Sequence, residues 1–144
     1  QGATADILTR LDLAREQGVD AEALIETQVA EHDDTHQLSY LDFAGGRISV
    51  LRNTLPIGHK VRVRILARDV SLTLTHQQGT SILNIFPAKV TELIDDGPAQ
   101  VLIKLDLNGV ALLARVTRKS AQALHVAPDI PIFVQVKTIA LADD

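Results

Sequence analysis

Apolar and polar residues alternate through most of the chain, which is the pattern of β-strands with one buried face. Residues 61–65 place Val or Ile at every second position with arginines between them, and residues 101–107 place Val, Ile or Leu at every second position with Lys104 and Asp106 between the later ones. Two glycines at 45–46 separate two short alternating segments, and an Asn-Gly pair at 108–109, typical of a type I′ turn, follows the later run. The pattern therefore predicts two β-hairpins.

Helical signals are confined to two places. Residues 5–14 can bring three aliphatic side chains to one helical face, and Gly18 interrupts that pattern. A second, short helix is predicted at 119–125, before a last strand at 132–141. Residues 21–25 fit either another helical turn or the lead into a strand. Residues 1–27 are therefore interpreted as a linker with a helical lead-in.

The strongest internal feature is a repeat, whose two copies lie about 60–70 residues apart along the chain. Three short matches occur in the same order in both copies, which is hard to obtain by chance. The matched segments are 28–34 with 89–96, 41–45 with 105–109, and 68–72 with 137–141.

A unit of about five short strands buries too little apolar surface to be stable alone, so two such units are expected to share a core. Small barrels of this size belong to the oligonucleotide/oligosaccharide-binding (OB) type. We therefore predict a mainly β fold of tandem OB-like small β-barrel units after a short N-terminal helical lead-in. The predicted boundaries are 1–27 for the lead-in, 28–78 for a first half-module and 79–144 for a second module.

Composition narrows the functional classes. Apolar residues make up 46% of the 144 residues, but there are only three Phe, one Tyr and no Trp, so the core must be aliphatic. The net charge of −4 and the scarcity of aromatic stacking groups argue against a nucleic-acid-binding protein. The absence of cysteine excludes disulfides and thiolate metal sites. No apolar run has the length of a membrane span, and a chain without Met is expected to be part of a longer protein.

Residues 79–144 resemble the Mop or TOBE module, a small molybdate-binding barrel. Residues 28–75 resemble the half-module that precedes it in the ATP-binding subunit of bacterial molybdate importers. The segment at 68–72 (RDVSL), followed within ten residues by 80–84 (TSILN), is the most specific part of this likeness. The other residues that carry it are 112–117 (LLARVT), Ser120, Leu124 and 136–138 (VKT).

The resemblance implies a regulatory and dimerising C-terminal region of a transporter subunit whose ATPase domain precedes it. Such a subunit would sit at the cytoplasmic face of the inner membrane, form a homodimer and contact membrane permease subunits through its ATPase domain. The chain contains no G-x-x-x-x-G-K-[ST] phosphate loop, so we expect no enzymatic activity, no catalytic residues and no cofactor in this region.

The resemblance also implies an oxyanion site for molybdate or tungstate, which differ little in size. A tetrahedral dianion that has lost its water needs several hydrogen-bond donors and a positive charge. The residues at the matching positions are Ser81, Asn84, Thr117, Lys137 and Thr138. Free-standing modules carry Arg where this chain has Leu83, a change that removes a charged donor. The alternative is that Ser81 and Asn84 shape a turn and Lys137 is a solvated strand residue.

Other polar clusters carry weaker hypotheses. His32 and His36 are predicted to be solvated residues of a turn and not metal ligands, and residues 33–34 and 95–96, both Asp-Asp, fit hairpin turns better than acid–base catalysis. Arg62, Arg64 and Arg68 form a basic stripe, which is either the wet face of a strand or a surface for an anion or partner. Arg68 or Arg115 from a neighbouring unit could also replace the missing donor at position 83.

Two further functions compete with a transporter subunit. One is a stand-alone cytoplasmic protein that binds or stores molybdate, and the other is a nucleic-acid-binding OB-type barrel. The lead-in at 1–27 favours the transporter subunit, because it implies an upstream domain. The acidic net charge disfavours the nucleic-acid barrel.

Overall fold

The computed structural model describes residues 21–142, which form ten strands, one 3-10 turn and one short helix. The helix predicted at 5–14 lies outside these residues. In chain order the elements are β1 Glu22–Asp33, β2 Leu38–Phe43, β3 Gly46–Leu51, β4 Lys60–Leu66, a 3-10 turn Ala67–Asp69, β5 Val70–Thr73, β6 Asn84–Asp96, β7 Gln100–Leu107, β8 Val110–Thr117, α1 Arg118–Ala123, β9 Pro131–Val136 and β10 Ala140–Leu141. The prediction of a mainly β protein is confirmed.

The strands form two antiparallel sheets of five. The first sheet has the order β10-β4-β1-β2-β3, and the second has the order β5-β9-β6-β7-β8. Both predicted hairpins are present, as β2–β3 and β7–β8. Asn108 and Gly109 both have positive φ angles, 52° and 93°, as a type I′ turn requires.

The strand register confirms the sequence repeat. Gln28 pairs with Asp42 in the first sheet, and Lys89 pairs with Asp106 in the second, so residues matched in the sequence are also matched in space. In each copy a bulge interrupts the pairing of the first two strands at the same place. The bulge is at Ala30 in the first copy and at Thr91 in the second. The two sheets are therefore built from two copies of one unit.

Each sheet takes its last strand from the other copy. β5 follows the first copy in sequence but pairs with β9 of the second sheet, while β10 ends the second copy and pairs with β4 of the first. The segments that lead into β5 (67–69) and into β10 (137–139) are the two crossovers between the sheets. They meet where the Lys137 backbone N–H donates to the Asp69 carbonyl oxygen, at 3.1 Å. The division into 28–78 and 79–144 stays a prediction about sequence units, because the sheets themselves interleave.

Two sequence interpretations need correction. The lead-in predicted over 1–27 is too long, since β1 begins at Glu22 and Ala23, Ile25 and Thr27 are buried at every second position. The single last strand predicted at 132–141 is two strands, β9 and β10, separated by the crossover at 137–139. The predicted second helix is confirmed as α1, which begins at Arg118 because Thr117 caps it.

One aliphatic core joins the two copies. Leu41, Ile48, Leu105 and Leu112, from the two hairpins, are all fully buried in the same cluster. Among the few aromatic side chains, Phe43 of the first copy and Phe86 of the second pack edge to face, with ring centroids 5.3 Å apart. The predicted aliphatic shared core is confirmed.

Strand exchange predicts that β5 protects β9 in the intact protein. Val70 is buried in the core and pairs with Val136 of β9. We expect Val70→Ala to lower the free energy of unfolding by about 1.5 kcal/mol, because about 0.8 kcal/mol is lost per buried CH₂ group. We also expect the backbone amides of β9 to exchange faster relative to the average of β2 amides. Urea unfolding followed by circular dichroism and hydrogen exchange followed by NMR measure the two effects. Unchanged exchange of the β9 amides would contradict the strand exchange.

Candidate functional site

An open groove lies where the edge of the first sheet meets the entrance to β6. Its walls are the end of β3, the segment that leads into β6, and the crossover between β9 and β10. The cavity volume is about 350 Å³, more than one tetrahedral oxyanion fills. The lining residues are Leu38, Ser49, Val50, Leu51, Ser81, Ile82, Leu83, Asn84, Lys137, Thr138 and Ile139.

Strand exchange brings these walls together. Lys137 and Thr138 face the groove because the chain must cross from β9 in the second sheet to β10 in the first at this point. Ser81 reaches it from the segment before β6. Four of the five residues predicted for an oxyanion site, namely Ser81, Asn84, Lys137 and Thr138, thus line one groove.

The fifth predicted residue, Thr117, does not line this groove. Its Oγ1 accepts a hydrogen bond from the Ser120 backbone N–H at 3.0 Å and donates to Ser120 Oγ at 2.9 Å. This is an N-cap, which satisfies a backbone donor of the first turn of α1. Thr117 therefore has a local structural task at the end of β8.

Three polar side chains of the groove are exposed and available. Within residues 21–142, the Ser81 and Thr138 hydroxyls and the Lys137 ammonium make no hydrogen bond or ion pair, and Lys137 carries the only charge in the described lining. The backbone N–H of Ile82 is directed to Thr80 Oγ1, at 3.2 Å. The groove thus offers two hydroxyl donors and one cation to a ligand.

Asn84 is already engaged. Its Oδ1 accepts from the Ser49 backbone N–H at 2.7 Å, and its Nδ2 donates to the Ser49 carbonyl oxygen at 3.1 Å. Sequence reasoning did not identify Ser49, and no side-chain signal could have done so, because Asn84 binds the main chain of that residue.

The rim of the groove is apolar. Leu51 and Leu83 line it and are 82% and 63% exposed, unusually high values for large aliphatic side chains. Leu83 therefore gives the groove an apolar side chain and no hydrogen-bond donor. Neither Arg68 nor Arg115 is among the lining residues, and Arg115 is paired with Asp96 at 2.8 Å.

Comparison with a family model decides the assignment of this half of the chain, since residues 80–141 match the TOBE domain. Residues 80–141 form a TOBE domain. All five predicted site residues lie in this domain. The domain also forms two of the groove's walls, and β3 together with the neighbouring Leu38 forms the rest.

Relatives extend the assignment to the whole chain. It is 45% identical over 97% of its length to the molybdenum import ATP-binding protein ModC of Albidiferax ferrireducens. It is 48% identical over the same share to ModC of Thiobacillus denitrificans. The match falls in the C-terminal part of these proteins, and the chain spans 38% and 39% of their lengths. The chain is therefore similar to the C-terminal, TOBE-containing region of ModC proteins.

A solved structure supports the fold. The cytoplasmic molybdate-binding protein ModG, crystallised with molybdate bound, superposes with a TM-score of 0.66 over 83% of this chain and 95% of that one. The sequence identity is 18%, so the likeness concerns the fold alone. It confirms the prediction of a mainly β protein with OB-like units, which are two curled sheets that form half-barrels.

Outside the TOBE domain, one histidine departs from expectation. His32 was predicted to be solvated in a turn, but it is half-buried in β1, with its Nε2 2.7 Å from the Leu55 carbonyl oxygen and its Nδ1 2.8 Å from Ser39 Oγ. Since a carbonyl can only accept, Nε2 carries the proton and Nδ1 accepts from the Ser39 hydroxyl. Ser39 Oγ accepts in turn from the Asn53 backbone N–H, so His32 secures the loop after β3.

The Asp-Asp pairs lie at hairpin turns, as predicted. Hydrogen bonds from the His36 side chain and backbone N–H, and then from the Tyr40 hydroxyl, lower the pKa of Asp33 from 3.8 to about 2. A folded-state pKa below the ordinary value means that this contribution to stability is present above pH 3.8 and is lost as the pH falls towards 2. Asp33 is a turn anchor that stays ionised at neutral pH.

The basic stripe is balanced by carboxylates of the neighbouring strand. Arg64 Nε lies 3.3 Å from Glu22 Oε1, and Arg62 Nε lies 3.9 Å from Glu26 Oε2, across the β1–β4 pair. Among residues 21–142 no group of three or more His, Cys, Asp or Glu side chains has the arrangement of a metal site. The described part of the chain also has no helix that is long and apolar enough to cross a membrane.

Proposed function

We propose that this chain is the regulatory and dimerising region of the ATP-binding subunit of a molybdate importer, and that its groove senses molybdate or tungstate. The observation that carries the proposal is the groove itself. Ser81, Lys137 and Thr138 present unpaired donors there, and all three lie within the TOBE domain. Similarity to ModC proteins over 97% of the chain supports the transporter context. The ATPase activity would reside in a preceding domain of the parent protein, and this region would be non-catalytic.

Binding of an oxyanion here would depend on Lys137. The Ser81 and Thr138 hydroxyls supply donors, and the Lys137 ammonium supplies the charge that a partly dehydrated dianion requires. Asn84 has an amide hydrogen beyond the one given to Ser49, but both of its heavy atoms are held by that residue. Thr117 belongs to the helix cap, so we omit it from the proposed ligand set.

The affinity should be weak. Leu83 provides no donor, and the loss of a hydrogen bond to a charged group costs about 1.5–3 kcal/mol, which is roughly ten- to more than a hundred-fold in affinity. Weak binding suits a sensor that slows uptake when the cell is replete, because a very tight site would always be occupied. Sulfate has the same charge and shape but is smaller, so it would contact fewer of the Ser81, Lys137 and Thr138 donors at the same time.

Titration calorimetry tests the site. We expect molybdate to release more heat than sulfate on the wild type. Lys137→Ala should abolish binding, whereas Leu83→Arg should tighten it roughly tenfold or more by adding a charged donor. Lys60→Ala is the matched control, because Lys60 is an exposed lysine that does not line the groove.

The calorimetry can also refute the site. If molybdate and sulfate give equal heats on the wild type, and Leu83→Arg does not restore a difference, the groove is not an oxyanion site. The region would then be a structural spacer.

The apolar rim supports the proposal of a homodimer. Leu51 and Leu83 both line the groove and are exposed, and exposed apolar surface of this kind is stabilised when a partner covers it. In the parent, each subunit would contact membrane permease subunits through its ATPase domain, at the cytoplasmic face of the inner membrane.

Sedimentation velocity measures the association directly. We expect a dimer at tens of micromolar (roughly), and a shift towards monomer when Leu51 is changed to Ser. The exposed Ile57→Ser is the matched control, since Ile57 does not line the groove. A wild-type protein that is monomeric at that concentration would contradict the proposed homodimer.

A stand-alone molybdate-binding protein remains the second candidate, favoured by the fold shared with ModG. Deletion of the chromosomal coding region separates the two. Loss of molybdate uptake supports the transporter subunit, and loss of stored molybdate with normal uptake supports the alternative. The paired arginine stripe gives no support to a nucleic-acid-binding barrel.

A further inference from the structure

The two sequence copies create two equivalent junctions between the sheets. At the first junction, the start of β1 and the 3-10 turn pack against β7 and β8. Ala21, Ala67, Leu102 and Leu113 form a separate apolar cluster there, and each is at most 1% exposed. This junction is closed by ordinary aliphatic packing.

Strand register identifies the matching positions at the second junction. Val29 pairs with Leu41 in the first copy, and Val90 pairs with Leu105 in the second, so Leu41 and Leu105 are equivalent positions. Leu38 and Leu102 each lie three residues before them and are therefore equivalent. Ala21 and Ile82 each lie eight residues before the equivalent pair Val29 and Val90, so they are equivalent as well.

The pairs Leu41–Ile48 and Leu105–Leu112 extend the match to the hairpins' second strands, so Ser49 corresponds to Leu113. By the same count Asn84 corresponds to Ala23. The groove therefore lies at the second junction, which is open, whereas apolar side chains fill the first junction. Leu38, Ser49 and Ile82 of the groove take the places of Leu102, Leu113 and Ala21.

Asn84 supplies the bridge that replaces this packing. Its side-chain amide pairs with both the N–H and the C=O of Ser49, as a peptide group of a neighbouring strand would. Asn84 is only 6% exposed, so both bonds are shielded from water. The amide thereby covers the open edge of β3 and holds it beside the start of β6, without side chains that would fill the space.

We infer that Asn84 is a positioning residue that keeps the groove open, and that it is not itself an oxyanion ligand. The effect of Asn84 on ligand binding rests on the proposed function, whereas the effect of Asn84 on the structure of the junction does not. Two predictions follow from the comparison of the junctions, one for the bridge and one for the packing.

Hydrogen exchange measured by NMR tests the bridge. In Asn84→Ala, the Ser49 amide should exchange roughly five- to tenfold faster relative to the average of β2 amides, as expected for the loss of one hydrogen bond. Asn84→Asp keeps an acceptor for that N–H but places a second oxygen against the Ser49 carbonyl, so it should retain only part of the protection. Thr27→Val, which removes the bond from Thr27 Oγ1 to the Val61 carbonyl on the far side of the sheet, should leave Ser49 unchanged.

A double variant tests the packing. Ser49→Leu with Asn84→Ala gives this junction the residues of its counterpart, Leu113 and Ala23. We expect the melting temperature to fall in Asn84→Ala and to recover to at least the wild-type value in the double variant. Molybdate binding, measured by calorimetry, should be lost in the double variant because the leucine occupies the groove.

The outcomes separate the inference from the proposed function. If the wild type does not bind molybdate, the proposed function fails, and exchange and melting still decide the role of Asn84. Unchanged Ser49 exchange in Asn84→Ala, or a double variant no more stable than Asn84→Ala, overturns the inference. So does loss of molybdate binding in Asn84→Ala with Ser49 protection intact, since that result would make Asn84 a ligand.

Discussion

Reciprocal exchange of one strand holds the two sheets of this protein together. β5 and β10 are short, with four and two residues, yet each completes the sheet formed by the other copy. A half-barrel of this size has an aliphatic face that it cannot bury alone, and the exchange joins two of them over one continuous core. The relative position of the sheets is consequently set by backbone hydrogen bonds as well as by packing.

The groove is a consequence of the same exchange. The crossover from β9 to β10 passes over the first sheet and brings Lys137 and Thr138 opposite the end of β3. At the matching crossover the 3-10 turn brings Ala67 into an apolar cluster with Ala21, Leu102 and Leu113. A duplicated unit has therefore produced one closed junction and one open, polar junction, and the open one lies within the TOBE domain and its contact with β3.

Residue spacing within a few positions predicted the hairpins. Composition predicted the aliphatic core, and matches between segments about 60–70 residues apart predicted the repeat. Strand exchange was not predictable in this way, since nothing in residues 70–73 or 140–141 states which sheet they join. The sequence left the start of β1 open between a helical turn and a strand, because its buried positions include Ala23 and Thr27, which are small or polar residues with little strand signal. Asn84 and Thr117 were predicted as oxyanion ligands from their places in the motif, whereas the main-chain groups that they bind in the structure are invisible in a sequence.

The role of the groove is tested most directly by diffraction from crystals grown with tungstate, whose heavy atom gives a strong anomalous signal. The expected result is an anomalous peak within the groove, close to the Lys137 ammonium and the Ser81 and Thr138 hydroxyls, that disappears in Lys137→Ala. A peak at another place with the groove unoccupied, or no peak at a tungstate concentration that saturates the calorimetric signal, would contradict the assignment of this groove as the oxyanion site.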